Sequence, residues 1–311
     1  MTPALHAARR LLALLLMPLA LAALPAQAQF LNFKQVLERP DRPQPTQRLA
    51  YGPLPQQVGE LWLPSAAKGP FPVVLMVHGG CWLADLPGPE LLAWQAEALR
   101  QQGLAVWSIS YRRLGHEGGG YPGTFQDVAR GADHLRTLAQ TQPLDLSRVV
   151  ATGHSAGGHL ALWLAARKNL PATSPLATQD PLPIHAVVPV AGVGDLAWGG
   201  GYVGGACGPD TVPKLVNEKE RGKQAWSDTS PAALLPLGVP VTMVSGLYDP
   251  IVAPAHARRF QAEAARKGGV PVQLLTLDEA SHFELISPWT EPGRRVVERV
   301  VSEVKGLGGT R

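Results

Sequence analysis

Cysteine, charge and basic clusters are all scarce in this sequence. Two cysteines among 311 residues are too few for a disulfide-rich scaffold, and 17% charged against 45% apolar residues excludes a disordered chain. The formal charge of +4 falls to +2, with 26 basic and 24 acidic residues, when Arg9 and Arg10 are set aside. Lysine and arginine are nowhere clustered with aromatic residues, so we expect no nucleic-acid partner.

The one long apolar run lies in the first 28 residues, which have the three parts of a secretory signal. Arg9 and Arg10 precede an apolar stretch at 11–24, and Ala26-Gln27-Ala28 follows as a small-x-small cleavage site. These 14 apolar residues, interrupted by Pro18, fall short of the ~20 that span a bilayer. We therefore expect cleavage after Ala28, no stable membrane insertion, and a protein in the periplasm or outside the cell.

The 283 residues that remain when 28 are removed from 311 suit one large domain. Residues 29–56 are polar and proline-rich, and we interpret them as an N-terminal arm on the surface, followed by a catalytic domain at 57–311. A core of this size needs no covalent link. We therefore predict that Cys81 and Cys207 are free thiols, although an oxidising compartment would permit a disulfide.

From Val73 onward, short β-branched runs alternate with amphipathic stretches, which predicts an α/β fold: a mostly parallel sheet with helices on both faces. The predicted strands are 73–77, 105–110, 149–153, 186–190, 241–245 and 272–277, preceded by an antiparallel edge strand at 58–63. The predicted helices are 89–102, 124–139, 156–167, 254–267 and 292–305. We interpret the long irregular stretch at 192–235 as a lid-like insertion or substrate wall.

The sequence Gly153-His154-Ser155-Ala156-Gly157 directly follows a predicted strand and precedes a predicted helix. This is the context in which G-x-S-x-G forms a nucleophile elbow, a tight turn that lifts a serine Oγ above the sheet. We therefore predict that Ser155 is a nucleophile.

A serine nucleophile needs a histidine base, and the base needs an acidic partner that fixes its tautomer. His282 alone among the nine histidines lies in a loop just after the last predicted strand, at the edge of the sheet where the elbow opens. Asp249 follows the preceding strand, which gives the order Ser, acid, His. Asp278 is the alternative acid, but it precedes His282 by only four residues, so its carboxylate is poorly placed to reach His282 Nδ1.

Backbone donors for an oxyanion are expected in His78-Gly79-Gly80-Cys81-Trp82, which follows the first parallel strand. We predict that the amides of Gly80, Cys81 and Ala156 form the oxyanion hole. Nothing in these motifs calls for a metal or another cofactor.

With these motifs the sequence resembles the α/β-hydrolase superfamily, specifically the esterase branch with an HGG-x-W oxyanion loop that includes kynurenine formamidase-like and feruloyl/acetyl esterase-like enzymes. The resemblance covers about residues 57–302. Its motifs are His78 to Trp82, Tyr111-Arg112, Tyr121-Pro122, Asp127, Gly153 to Gly158, Ser230-Pro231, Gly246 to Asp249 and Ser281 to Glu284. The resemblance implies an α/β-hydrolase fold in which Tyr111, Arg112 and Asp127 brace the loop beside the pocket. From the residues alone, Thr124-x-x-Asp127 predicts a helix-capping box instead, and we favour the cap.

The function expected from these residues is a secreted serine carboxylesterase that cleaves short-chain or aryl esters, small-molecule substrates, through an acyl-enzyme. Bulky residues near the nucleophile, namely Trp82, Tyr121, Trp198 and Tyr202, are expected to form the substrate walls. An arylformamidase or other amidase with the same triad is the alternative, and an inactive hydrolase-fold binding protein is a more remote one.

Overall fold

The structure is a computed structural model that describes residues 30–65 and 68–308. The predicted signal peptide and its cleavage site lie outside the described residues. Within the described part of the chain, no helix combines the length and apolar character needed to cross a bilayer.

Eight strands form one sheet in the order β1-β2-β4-β3-β5-β6-β7-β8. They are β1 (Gln47–Ala50), β2 (Val58–Trp62), β3 (Phe71–Val77), β4 (Ala105–Ile109), β5 (Leu144–His154), β6 (Ala186–Val190), β7 (Val241–Gly246) and β8 (Val272–Leu277). Strands β3 to β8 are parallel, and β2 runs antiparallel to both of its neighbours. The prediction of a mostly parallel sheet is therefore confirmed. The prediction that the strand at Val58 forms the edge is wrong, because β1 pairs with it from within the N-terminal arm.

Helices cover both faces of the sheet. They are α1 (Phe33–Leu37), α2 (Ala93–Gln101), α3 (Gly123–Asp133), α4 (Leu135–Leu138), α5 (Ala156–Ala166), α6 (Leu196–Cys207), α7 (Thr211–Leu215), α8 (Glu218–Arg221), α9 (Ala255–Lys267) and α10 (Glu291–Gly306). Helices α2 and α10 pack together on one face, while α5 packs with α3 on the other. Helix α5 is buried along its whole length, which explains its uniformly apolar sequence.

The stretch at 192–235, which the sequence predicts to be irregular, is largely helical. It contains α6, α7 and α8, followed by two 3-10 turns at Gly222–Trp226 and Pro231–Leu234. The many glycines in this stretch do not predict helices, because glycine disfavours helix unless packing compensates.

Asp127 is not a helix cap. Helix α3 begins at Gly123, and no side chain caps its first turn. The Asp127 carboxylate is buried and forms a two-pronged ion pair with the Arg112 guanidinium, at 2.8 Å for each prong. It also accepts hydrogen bonds from the Arg112 amide and from Gln57 Nε2. The role implied by the family resemblance is therefore the one observed: Asp127 holds the segment after β4.

The prediction of two free thiols is also wrong, because Cys81 and Cys207 form a disulfide with a Cα–Cα distance of 5.5 Å. Cys81 lies in the loop after β3, and Cys207 is the last residue of α6. A core of this size does not need a covalent link, but the pairing depends on which loops meet at the sheet edge.

We expect the disulfide to contribute up to about 5 kcal/mol to stability, because it closes a loop across 126 residues. Urea unfolding of the oxidised protein and of a Cys81→Ser/Cys207→Ser variant measures this difference. A thiol reagent should find no reactive group in the unfolded, unreduced protein and two after reduction. Two reactive groups before reduction would contradict the pairing.

Loss of the Asp127 carboxylate should destabilise the fold by about 3 kcal/mol, because it leaves the largely buried Arg112 guanidinium without its partner. Chemical denaturation of Asp127→Ala checks this. Asp210→Ala is the matched control: its pair with Lys214 is exposed at 3.5 Å, so its removal should cost less than about 0.5 kcal/mol. Equal losses in the two variants would argue against a bracing role for Asp127.

Candidate active site

Ser155 sits in a strained turn between β5 and α5. Its backbone lies at φ 56° and ψ −119°, a region that side chains disfavour, and the residue is 6% exposed. Its amide donates to Val190 O at 2.8 Å, which fixes the turn to the end of β6. Strain that is held by the surrounding structure at one residue is typical of functional sites.

Asp249 and His282 form a buried pair. Asp249 follows β7 and His282 follows β8, so both lie at the carboxyl edge of the sheet, as Ser155 does. His282 Nδ1 lies 2.7 Å from Asp249 Oδ2. The other carboxylate oxygen accepts the amides of Ile251 and Val252, at 2.8 and 2.9 Å. Asp278, the alternative acid, is exposed on the surface.

Ser155 and His282 line one cavity, and no direct hydrogen bond between their side chains is found among the described residues. Bonds of this kind are often long in a free enzyme and tighten when substrate binds. The arrangement brings together all three residues that the sequence predicted as a triad.

His154 supports His282 from inside the elbow. It is buried, its ring lies 4.3 Å from the His282 ring, and its Nε2 lies 3.0 Å from His282 O. Burial holds the pKa of His154 well below its usual range, and the neighbouring His282 acts in the same direction. A neutral His154 therefore donates its Nε2–H to the His282 carbonyl. The sequence motif placed this residue in the elbow but gave no sign of this contact.

The loop from His78 to Trp82, which we call the oxyanion loop, has an unusual backbone. Gly80, Cys81 and Trp82 have φ values of 96°, 50° and 56°. A Cβ on Gly80 would lie 2.8 Å from Pro87 O, so glycine is needed there for space as well as for conformation. Gly80 and Cys81 line the cavity. Ala156, the third predicted donor, is the first residue of α5, where amides lack intrahelical acceptors.

Buried polar contacts hold the oxyanion loop in place. The Tyr111 hydroxyl donates to His78 O at 2.9 Å, and its ring stacks on the His78 imidazole at 4.5 Å. Burial lowers the pKa of His78 to about 3, so its imidazole is neutral. Arg113 donates to Leu86 O and Pro87 O and so fixes the segment that lies against Gly80.

The cavity above Ser155 has a volume of about 200 Å³ and largely apolar walls. Besides the residues already named, its lining comprises Phe33, Leu86, Pro87, Leu91, Ala206, Ile251 and Phe283. Leu86, Pro87 and Leu91 follow the oxyanion loop, and Ile251 and Phe283 adjoin the predicted acid and base. The motifs at the strand ends predict that the segments near the oxyanion loop and near Asp249 and His282 lie at the site. Nothing in the sequence of the arm predicts that Phe33 lines the cavity.

Three of the four residues predicted to form the substrate walls, Trp82, Tyr121 and Trp198, do not line the cavity. Trp82 is 1% exposed, because its large ring is buried in the core, where it packs edge-on against His159. The Tyr121 hydroxyl donates to Asp228, and Arg221 covers its ring at 3.5 Å.

Trp198 packs against His256 at 5.2 Å and does not line the cavity. Tyr202 belongs to α6, and its side chain lies outside the described part of the structure. Within the described residues, no group of three His, Cys, Asp or Glu side chains is placed to hold a metal ion.

The chain is similar to several known esterases. Esterase LipQ of Mycobacterium tuberculosis is 27% identical over 272 residues, which cover 84% of this chain and 62% of LipQ. The chain thus spans about three fifths of that relative.

Among solved structures, esterase B from Lactobacillus rhamnosis, inhibited with a tributyrin phosphonate, matches with a TM-score of 0.71 and 20% identity over 88% of this chain and 90% of that one. The propionate-bound esterase Est2 from Thermogutta terrifontis matches with a TM-score of 0.66 and 18% identity, over 86% and 96%. These matches confirm the α/β-hydrolase fold. The BD-FAE family matches residues 60–263, about two thirds of the chain, and the chain therefore belongs to the BD-FAE family of α/β-hydrolases.

Proposed function

We propose that this protein is a secreted serine carboxylesterase that hydrolyses small esters with short acyl chains. The observation that carries the proposal is the buried Asp249–His282 pair, 2.7 Å apart, beside a strained Ser155 on one cavity. Membership of the BD-FAE family and the likeness to esterase LipQ and to esterase B support ester hydrolysis.

In this mechanism His282 Nε2 accepts the Ser155 Oγ proton while Oγ attacks the ester carbonyl. Asp249 holds Nδ1–H and so keeps Nε2 free to act as base. The amides of Gly80, Cys81 and Ala156 stabilise the oxyanion. His282 then returns the proton to the departing alcohol, and a water molecule activated by His282 releases the acid from the acyl-enzyme.

The size of the cavity supports small substrates. Its volume of about 200 Å³ lies below the roughly 300–1,000 Å³ of sites for drug-sized ligands. Leu91 and Ile251 close it with apolar side chains. The Thermogutta esterase binds propionate and esterase B is inhibited by a tributyrin phosphonate, so two proteins of this fold take ligands with short chains.

Export to the periplasm or beyond is part of the proposal. Residues 1–28 have the pattern of a cleavable signal, and the Cys81–Cys207 disulfide is of the kind that persists in oxidising compartments. N-terminal sequencing of the protein from culture fractions should find Gln29 as the first residue.

Ser155→Ala and His282→Ala should each lower kcat by as much as ~10⁶, and the double variant should cost little more, because the two residues act as a unit. Asp249→Asn should lower kcat by ~10⁴ through the wrong imidazole tautomer. Asp278→Asn is the matched control and should leave kcat unchanged. Steady-state kinetics on phenyl acetate provide these values, and additive losses in the double variant would argue against the pairing.

Acetate to butyrate esters of one aromatic alcohol should be cleaved with higher kcat/KM than the octanoate, because the cavity is short. Leu91→Ala removes a wall and should shift the optimum to longer chains, whereas Leu54→Ala, an exposed site outside the cavity, should not. A steady rise of kcat/KM up to the decanoate would contradict the short-chain proposal.

Adding N-formylkynurenine to this panel of esters distinguishes an esterase from an arylformamidase. The phenoxide of phenyl acetate leaves more readily than the arylamine of N-formylkynurenine, so phenyl acetate should be cleaved faster. The reverse order would establish an arylformamidase. A purified wild-type protein that turns over no member of the panel would indicate a binding protein.

A further inference from the structure

Exposed apolar side chains cluster where the N-terminal arm meets the loops that carry Asp249 and His282. Of the six large apolar residues that are exposed among the described residues, Phe30 and Phe33 lie at the start of the N-terminal arm, and Leu247 and Tyr248 directly precede Asp249. The Phe30 ring lies 5.6 Å from the Tyr248 ring, and the Phe33 ring lies 6.3 Å from the Phe283 ring. Exposed apolar surface concentrated in one place marks a binding surface.

The arm is held in place at several points, so the position of Phe33 is defined. The Leu31 amide donates to Glu284 Oε1, and the other oxygen of Glu284 accepts the Ser281 amide at 2.9 Å. Asn32 and Gln35 form a capping box at the start of α1. Val36, one turn after Phe33, is 1% exposed and anchors α1 in the core.

Two further contacts secure the arm just after α1. The Arg39 guanidinium lies over the rings of Trp94 and Trp289, 5.3 and 4.3 Å from their centres. Contacts of this type each contribute roughly 0.5–1 kcal/mol at exposed sites. A segment attached in this way can present a ring to a ligand at little further entropic cost.

Proximity to His282 identifies the part of the substrate that meets these rings. In an ester hydrolysis the leaving oxygen takes its proton from His282 and therefore lies beside that imidazole. The Phe283 ring lies 5.0 Å from the His282 ring, edge to face, and the Phe33 ring lies 6.3 Å from Phe283, so ring contacts lead from His282 through Phe283 to Phe33. The group carried by the leaving oxygen is thus the one that reaches Phe33.

We propose that Phe33 is a specificity-determining residue: with Phe283 it forms a subsite for an aromatic ring on the alcohol side of the ester. Phe33 is 36% exposed and lines the cavity, so it offers a free ring surface at the mouth. The subsite rests on the proposed esterase function and extends it by naming the aromatic alcohol as the recognised group.

The test compares esters that share an acyl group and differ in the alcohol: benzyl, cyclohexylmethyl and ethyl acetate. The leaving oxygens are all alkoxides, so the ratio of kcat/KM for benzyl to ethyl acetate reports recognition of the ring. In Phe33→Ala this ratio should fall roughly three- to tenfold relative to wild type, mainly through KM, because one aromatic contact is lost. Phe33→Tyr should retain the ratio, and Phe33→Leu should lose the preference for benzyl over cyclohexylmethyl.

Phe30→Ala is the matched control. Phe30 belongs to the same arm and is 37% exposed, but it does not line the cavity, so the ratio should change less than twofold. Ethyl phenylacetate, which carries the ring on the acyl side, is the second control and should lose no more than ethyl acetate in Phe33→Ala.

A loss confined to ethyl phenylacetate would overturn the assignment to the alcohol side. Equal losses on every ester, or an unchanged benzyl-to-ethyl ratio in Phe33→Ala, would show that Phe33 is only structural. All of these results require an active wild-type enzyme. They are therefore distinct from failure of the proposed function, in which the wild type cleaves none of these esters.

Discussion

The close approach of α5 to the sheet is the contact on which the site depends. A Cβ on Gly157 would lie 2.0 Å from Val77 O, and one on Gly158 would lie 2.7 Å from Gly192 Cα. Glycine at both positions lets the helix begin directly against the ends of β3 and β6. The chain must then turn within one residue, and Ser155 takes the strained φ of 56° as a result. Strain of this kind costs on the order of 1–3 kcal/mol, which the buried packing of α5 offsets.

One disulfide and a few individual hydrogen bonds connect the loops around the site to one another. The disulfide joins the oxyanion loop to α6, and Tyr111 joins the same loop to the end of β4. His154 binds the carbonyl of His282, and Glu284 joins the His282 loop to the N-terminal arm. Loops at the end of a parallel sheet have no ladder hydrogen bonds of their own, so contacts such as these set their geometry.

The sequence was sufficient for the parallel strands and for the three triad candidates because both follow from local patterns. Apolar runs predict parallel strands, and parallel strands place their following loops at one edge, where Ser155, Asp249 and His282 meet. The walls of the cavity could not be predicted in this way. Phe33 and Phe283 are separated by 250 residues, and their contact depends on how the arm folds back across the domain.

Two other failures have the same physical origin. Asp127 fits a local capping pattern, yet its buried carboxylate pairs with Arg112 from a different element. Trp82 ends the oxyanion motif in sequence, yet its ring is buried in the core against His159. Local rules fail where a tertiary contact is stronger than the local preference.

The buried carboxylates show what distinguishes Asp249. Three aspartates are buried among the described residues, and two of them, Asp127 and Asp228, face an arginine at 2.8 and 2.6 Å. Their charge is balanced permanently, and they serve the fold. Asp249 faces an imidazole and two amides instead. In the proposed mechanism its balancing cation arises when His282 takes the serine proton, so the attraction between the two side chains is greatest in the transition state. A carboxylate placed in this way favours the reaction over the resting state, which an arginine partner could not allow.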